Sequence, residues 1–417
     1  MKIAIIGTGI SGLTAAYLLQ RKHEICVFES AERLGGHTAT KEVQEGAKRR
    51  FIDTGFIVYN DWTYPNFIRL MNELKIDSLP TEMSFSVSCE QTGLEYGGNN
   101  LNSLFAQRKN LFNIPYLKML KDILSFNKEA IADLESGRLD EATTLGQYLK
   151  QKGYGRMFAS HYLIPMGSAI WSSTLDEMLD FPLIFFVRFF KNHGLLSVND
   201  RPQWRVIKGG SAAYITPLTA GFHSKIRTNS KITSVERFDD HVILHFDGQP
   251  SESFDQVVFA CHSDEALALL SEPTAKEQEI LGAIPYRNND VILHTDTKLM
   301  PKAKLAWSSW NYHLGKDSTK PATLSYNMNI LQRFDDTDKT YVVTLNREDL
   351  IDPKKIIGRY QYAHPTFTLE GIKAQERWHE INGVANTWFC GAYWRNGFHE
   401  DGCWSGVRVA SGLGVEW

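Results

Sequence analysis

The chain has 417 residues, 43% of them hydrophobic, and sets 45 Lys and Arg against 48 Asp and Glu for a formal net charge of −3. That is enough apolar material for a large core divided over two or three lobes. The near balance of charge, with no long Lys/Arg block, excludes the electrostatic footprint of a nucleic-acid binder. Cys26, Cys89, Cys261, Cys390 and Cys403 lack CxxC or His-rich spacing, so neither a disulfide framework nor a metal site is expected.

Met1 leads directly into an apolar run, Ile3-Ala4-Ile5-Ile6, which reads as a buried strand and leaves no room for a signal peptide; the expected location is the cytoplasm. Gly7-Thr8-Gly9-Ile10-Ser11-Gly12 follows, then a helix carrying Leu13, Ala15, Ala16 and Leu18. Gly7 permits the tight strand-to-helix turn, Gly9 lets a pyrophosphate approach the backbone, and Gly12 lets helix pack on strand. The phosphates are expected on the free N–H groups and positive dipole end near Ile10 and Ser11. A second strand, Ile25-Cys26-Val27-Phe28, ends at Glu29, 17 residues beyond Gly12, where a carboxylate accepts hydrogen bonds from ribose hydroxyls. Together these features predict a dinucleotide-binding βαβ unit.

Arg33-Leu34-Gly35-Gly36-His37 continues the pattern: Arg33 offers a fork of donors to phosphate, and the glycine pair lets backbone lie against a large flat ligand. Here the chain resembles the flavin-dependent amine oxidase and phytoene desaturase superfamily, whose second motif reads R-x-G-G. The resemblance implies non-covalent FAD and a discontinuous α/β fold: a Rossmann-like, GR2-type FAD-binding domain with an interleaved α+β substrate domain. It implies that Asp53-Thr54-Gly55-Phe56 is the D-x-G step beside the isoalloxazine, and that Lys208-Gly209-Gly210-Ser211 returns the chain to the FAD lobe. The matching position for a backbone contact to adenine is Ile232. The expected FAD domain is then 1–60, 200–270 and 380–417, and the substrate domain 61–199 and 271–379.

In the first part of the substrate lobe, the runs Leu163 to Ser172 and Phe181 to Phe190 are dense in large apolar side chains. The second is too short to span a bilayer, which takes about 20 residues. It reads either as an ordinary buried helix or as the wall of a hydrophobic channel whose mouth rests on a membrane surface, with Arg188, Lys191 and His193 flanking. Met166, Trp171 and Phe186 are the substrate contacts expected here.

Further on, segments 291–296, 307–312 and 326–332 read as consecutive strands roofing the flavin, with Trp310, Tyr312, Asn329 and Gln332 as substrate contacts. His294 and Asp296 share a strand face by period two and read either as a proton-handling pair or as a satisfied buried hydrogen bond. Lys298 lies too far toward the strand end to match the flavin-site lysine of amine oxidases. The C-terminal segment supplies Trp388 to Tyr393, a strand ending in a turn at Gly391, then a helix opening near Glu400-Asp401-Gly402 and continuing through Ser405. Its N-terminus is suited to negative charge on a reduced flavin. Ala392 replaces the family's acid and the 401–406 stretch is one residue short. Glu400 and His399 are further candidates for proton handling.

Other motifs, among them Pro165-Met166-Gly167, Asn192-His193-Gly194 and His294-Thr295-Asp296, resemble a bacterial subgroup described as predicted NAD/FAD-binding proteins. Some of its members desaturate fatty acyl chains. The resemblance implies hydride transfer from a C–H bond of an apolar substrate to FAD, with a small apolar molecule or lipid as partner. Three alternatives stand beside it: an amine oxidase with Trp310, Tyr312, Tyr393 and Trp394 as an aromatic cage, a flavin-dependent double-bond isomerase, and a non-enzymatic carrier of the same fold.

Overall fold

The computed structural model describes residues 1–140, 142–171, 173–316 and 323–417; Ser172, the end of the apolar run at 163–172, lies outside them. Five parallel strands form the nucleotide sheet in the order Ile226–Arg227, Glu24–Phe28, Lys2–Ile6, Gln256–Phe259, Thr387–Phe389. A parallel sheet is covered on both faces, which is why Ile3 to Ile6, Ile25 to Phe28 and Val257 to Phe259 are uninterrupted apolar runs, every one buried. A three-stranded antiparallel sheet (Ile232–Arg237, Val242–Phe246, Gln249–Phe254) packs Val235, Leu244 and Phe254 into the same core. Phe67, Leu70 and Met71 of helix Pro65–Glu73 also belong to it, as do Ile280, Ile284 and Trp378, so the cores interleave more finely than the seams expected at 61, 271 and 379.

The second core lies between a helical layer and a seven-stranded sheet ordered Ile356–Pro365, Tyr286–His294, Val342–Leu345, Thr323–Asn327, Trp310–Leu314, Phe85–Cys89, Glu95–Gly97. Of the three strands expected to be consecutive, Trp310–Leu314 and Thr323–Asn327 are neighbours, Val342–Leu345 separates them from Tyr286–His294, and the third stops early. Asn327 caps a short helix, Met328–Leu331, its side-chain oxygen accepting from Asn329 N at 3.1 Å, so residues 328–331 leave the sheet.

Helices Ile114–Glu135, Ile164–Trp171 and Leu183–Asn192 supply the opposing layer. Phe186, Phe189 and Phe190 are at most 4% exposed, and Trp171 stacks on Phe181 at 4.5 Å. The Phe-rich segment is thus mainly an interior helix, with Phe185 half-buried and stacked on Phe367 at 5.4 Å. Among the described residues no helix is long and apolar enough to cross a membrane.

The two faces of the large sheet differ. On the face toward the helices, the four middle strands present Trp310, Tyr312, Leu324, Tyr326, Val343, Leu345, Val291 and Leu293, all apolar or aromatic; farther along Tyr286–His294 the same face carries Asn289 and then Arg287, whose guanidinium donates to Glu177 at 2.9 Å. On the other, a buried polar ladder runs from His294 to Thr344 (2.8 Å), Thr344 to Ser325 (2.7 Å) and Ser86 to Asn311 (2.8 Å).

Candidate functional site

The loop between the first strand and helix Ile10–Leu19 is shaped by its glycines. Gly7 has φ +109°, and a Cβ there would lie 2.7 Å from Ala260 O; a Cβ on Gly12 would lie 2.1 Å from Gly7 O. Both positions therefore close the turn against backbone. Gly9 is different, because a Cβ there meets nothing within 4 Å. It is the N-cap of the helix, makes no side-chain cap and is followed by no acid in the first turn. The result is an open, positively polarised helix end, the arrangement that receives phosphate.

Glu29 closes the second strand and is half-buried. Its Oε2 accepts the N–H of Thr8 at 3.1 Å and the Thr8 hydroxyl, and Oε1 accepts Ala31 N at 3.0 Å. The exposed Ser30 hydroxyl donates to Oε1 at 3.4 Å, a long contact at the position where a ribose hydroxyl would replace it. Ser230 N donates to Glu29 O at 2.9 Å, which brings the start of the Ile232 strand alongside. Arg33 is exposed and donates to Thr38 O at 2.7 Å and Gly36 O at 2.6 Å, so in this geometry it braces the glycine loop. Gly36 has φ +54° and approaches the Gly9 Cα, joining the two motifs into one cradle.

The C-terminal helix His399–Gly412 completes the cradle. A Cβ on Gly402 would lie 2.6 Å from Ile10 Cγ2, and one on Gly406 2.4 Å from Ser11 O. Two helix N-termini thus meet at one place, and two glycines on the second helix permit it. Ser405 accepts Gly391 N at 2.9 Å and donates to Gly402 O at 2.8 Å, holding the turn in which Tyr393 and Trp394 are buried. Asp401 accepts Phe398 N at 2.9 Å as part of the cap, and burial pushes its carboxyl up to about 7. Glu400 caps a different helix: it accepts Asn66 N at 3.2 Å, Asn66 Nδ2 at 2.6 Å and Phe67 N at 2.9 Å, at the start of Pro65–Glu73. Burial raises its pKa against those bonds.

Asp53 is a buried junction. It accepts Ser211 N at 2.9 Å, the Ser211 hydroxyl at 2.8 Å, the Thr40 hydroxyl at 2.5 Å and Gln332 Nε2 at 3.0 Å, while burial pushes it up to about 7. The return segment 208–211 is locked to the D-x-G step this way. Gln332 Oε1 accepts Asp53 N at 3.0 Å, and Asn329 donates to Lys339 O and accepts Tyr341 N, both at 2.8 Å. Expected as substrate contacts, these two amides hold backbone. His294 is likewise occupied: besides Thr344, its Nδ1 accepts Asp296 N at 3.1 Å. Burial holds His294 down at about 4. Asp296 accepts Asp352 N and the Lys355 ammonium, which keep it low despite burial. This pair faces away from the helical layer, and its geometry is that of a satisfied buried hydrogen bond.

The sheet's other face meets the cradle through residues not singled out from sequence. Tyr362 OH lies 2.8 Å from the Thr54 hydroxyl, and the His37 ring centroid is 5.2 Å from that of His364 and 6.0 Å from that of His262. Tyr360, Tyr362 and His364 alternate along one strand, a period-two signal that could have been read. Burial, with His364 and His262 adding to it, holds His37 well below its ordinary range, and His37 Nε2 is buried without a partner. Behind Gly55, Phe56 stacks on His399 at 3.7 Å; His399 Nε2 pairs with Tyr214 OH at 2.8 Å and burial holds the ring down at about 3. Trp310 and Tyr326 cross at 90° with centroids 5.3 Å apart, and both, like Met166, are half-buried and packed against the second core. Trp171 and Phe186 lie deeper within it.

Open space at Gly9, the Glu29 carboxylate beyond the second strand with only a long Ser30 contact on its outer side, paired helix N-termini and an unpartnered imidazole nitrogen at His37 together fit FAD laid across the cradle. Among the described residues no group of three or more His, Cys, Asp or Glu could hold a metal ion. Cys390 is buried and its thiol is pushed up to about 12, so it is a poor nucleophile.

Comparison with known proteins agrees. L-amino acid oxidase Bs29 of Bothriechis schlegelii is 22% identical over 349 residues, which is 76% of this chain and 63% of that protein. The chain thus spans less than two thirds of the first curated relatives it matches. A redesigned putrescine oxidase superposes with a TM-score of 0.70 at 14% identity, covering 99% of this chain and 98% of the other. The CLA-producing fatty acid isomerase from P. acnes does so with a TM-score of 0.69 at 16% identity, covering 98% of each. Those two likenesses establish fold. The profile of the flavin containing amine oxidoreductases matches residues 10–359, and the chain belongs to that family.

Proposed function

We propose that the protein is an FAD-dependent oxidoreductase acting on a C–H bond within a largely apolar substrate, a fatty acyl chain being the favoured class. The observation that carries the substrate reading is the apolar stretch of sheet face from Val291 and Leu293 to Trp310, opposite the helical layer. A substrate ammonium or carboxylate placed among those side chains would lose its hydration with no opposite charge beside it, Arg287 at the far end of the face being paired with Glu177, whereas an alkyl chain is accommodated. FAD, when bound, supplies the two-electron acceptor. The chain's own residues hold the phosphates at Gly9, orient the ribose through Glu29 and exclude water with aromatic rings.

A second reading is favoured by one feature. Trp310 and Tyr326, crossed at 90°, make two sides of an aromatic cage that would suit an amine. The deciding experiment is anaerobic titration of the purified yellow protein with fatty acyl lipids and, separately, with primary amines. Bleaching by lipid alone supports the first reading. Bleaching by amines alone refutes it in favour of the second, and a colourless protein that does not take up FAD refutes both.

A further inference from the structure

We infer that the segment from Leu101 to Leu124 is a docking surface for an anionic lipid bilayer. Helix Ile114–Glu135 has two apolar faces. One, with Tyr116, Met119, Phe126 and Ala130, is buried in the second core. The other carries Ile114, Leu117 and Leu124 at helical spacing and is open to solvent, with Ile114 at 78% exposed and Leu124 at 59%. The turn before it presents Phe112 at 88% exposed, and Leu101 at 75% stands on a short helix tied to the same place by Tyr116 OH donating to Leu104 O at 2.7 Å. Single exposed apolar residues are ordinary; a continuous strip led by a fully projecting phenylalanine is an interaction surface.

Charge selects the occupant. Lys118 and Lys121 lie between the apolar positions of the strip, Lys109 stands in the turn beside Phe112, and all three are exposed. Among the described residues none of them pairs with a carboxylate: Asp122 is turned to Gly155 N at 3.0 Å, and the described ion pairs lie elsewhere. Lysines on such a strip reach toward phosphate while their stems lie on the apolar layer. A two-fold dimer through this patch would instead set the same lysines against their own copies. A bilayer with anionic headgroups matches both components.

The test is flotation of the full-length protein with vesicles of phosphatidylcholine, with and without phosphatidylserine, alongside the double variants Phe112→Asp/Ile114→Asp and Lys118→Glu/Lys121→Glu. All four side chains are exposed, and flavin absorbance with circular dichroism reports that the variants are folded. The wild type is expected to float with phosphatidylserine vesicles, to do so less at high salt, and to lose binding in the aspartate variant. Each charge reversal should lower partitioning at least about fivefold. Wild type that stays unbound, or variants that float as well as wild type, overturn the inference. A concentration-dependent dimer abolished by Phe112→Asp overturns it in favour of a second copy of the chain.

Discussion

Gly9→Ala separates the cradle from the fold. The backbone at Gly9 has φ −62° and ψ 173°, which any residue adopts, and the added methyl meets no protein atom within 4 Å. The apoprotein should therefore lose nothing, and removing a glycine from the unfolded ensemble should add about 0.4–1 kcal/mol of stability. If the open space is where the pyrophosphate lies, the same methyl takes the position of a phosphate oxygen and breaks a charge-assisted hydrogen bond from the helix end. Such bonds are worth about 1.5–3 kcal/mol, which corresponds to roughly ten- to 150-fold weaker FAD binding. The assay has two arms: a thermal melt of the apoprotein, and the flavin-to-protein absorbance ratio after dilution and gel filtration. A variant that keeps its flavin as wild type does would refute the placement of the pyrophosphate. An apoprotein destabilised by more than about 1 kcal/mol would refute the claim that the space is empty of protein.

Glu400→Gln retains an acceptor for Asn66 and Phe67 but not the charge that favours a helix N-terminus, so stability should fall by about 0.3–1 kcal/mol, with the rate of flavin reduction per bound FAD unchanged; a large drop in that rate would show that Glu400 handles protons after all. Burial holds His193, His294 and His364 down at about 4 and His399 at about 3. Between about pH 6.5 and 4 the unfolded chain therefore binds protons that the fold refuses, and stability, fully present above pH 6.5, falls on acidification by up to about 1.4 kcal/mol per pH unit for each such ring. Urea midpoints across that range measure it, and a flat profile would contradict the neutral buried state.

The βαβ unit was legible because its work is done by local geometry: Gly7, Gly9 and Gly12 must be where they are in any chain that makes this turn. The buried-strand runs were legible for the same reason, since a parallel sheet covered on both faces leaves no polar position. What stayed hidden depends on distant partners. Nothing near Gln332 or Asn329 in sequence announces that their amides hold Asp53 and residues 339–341, and the caps formed by Glu400 and Asp401 arise only when helices meet. The aromatic segments were ambiguous in a different way. Periodicity marks Phe186, Phe189 and Phe190 and the strip from Phe112 to Leu124 as apolar alike, and only tertiary packing decides that the first is enclosed and the second left open.

The contact of Gly402 and Gly406 with the first helix has a consequence for biogenesis. While residues 399–412 are still within the ribosome, the phosphate loop lacks its second dipole and the wall formed by Tyr393 and Trp394. The polypeptide must extend through this helix before the cradle can close, so coenzyme retention follows the synthesis of residues 399–412, and products truncated ahead of them stay empty.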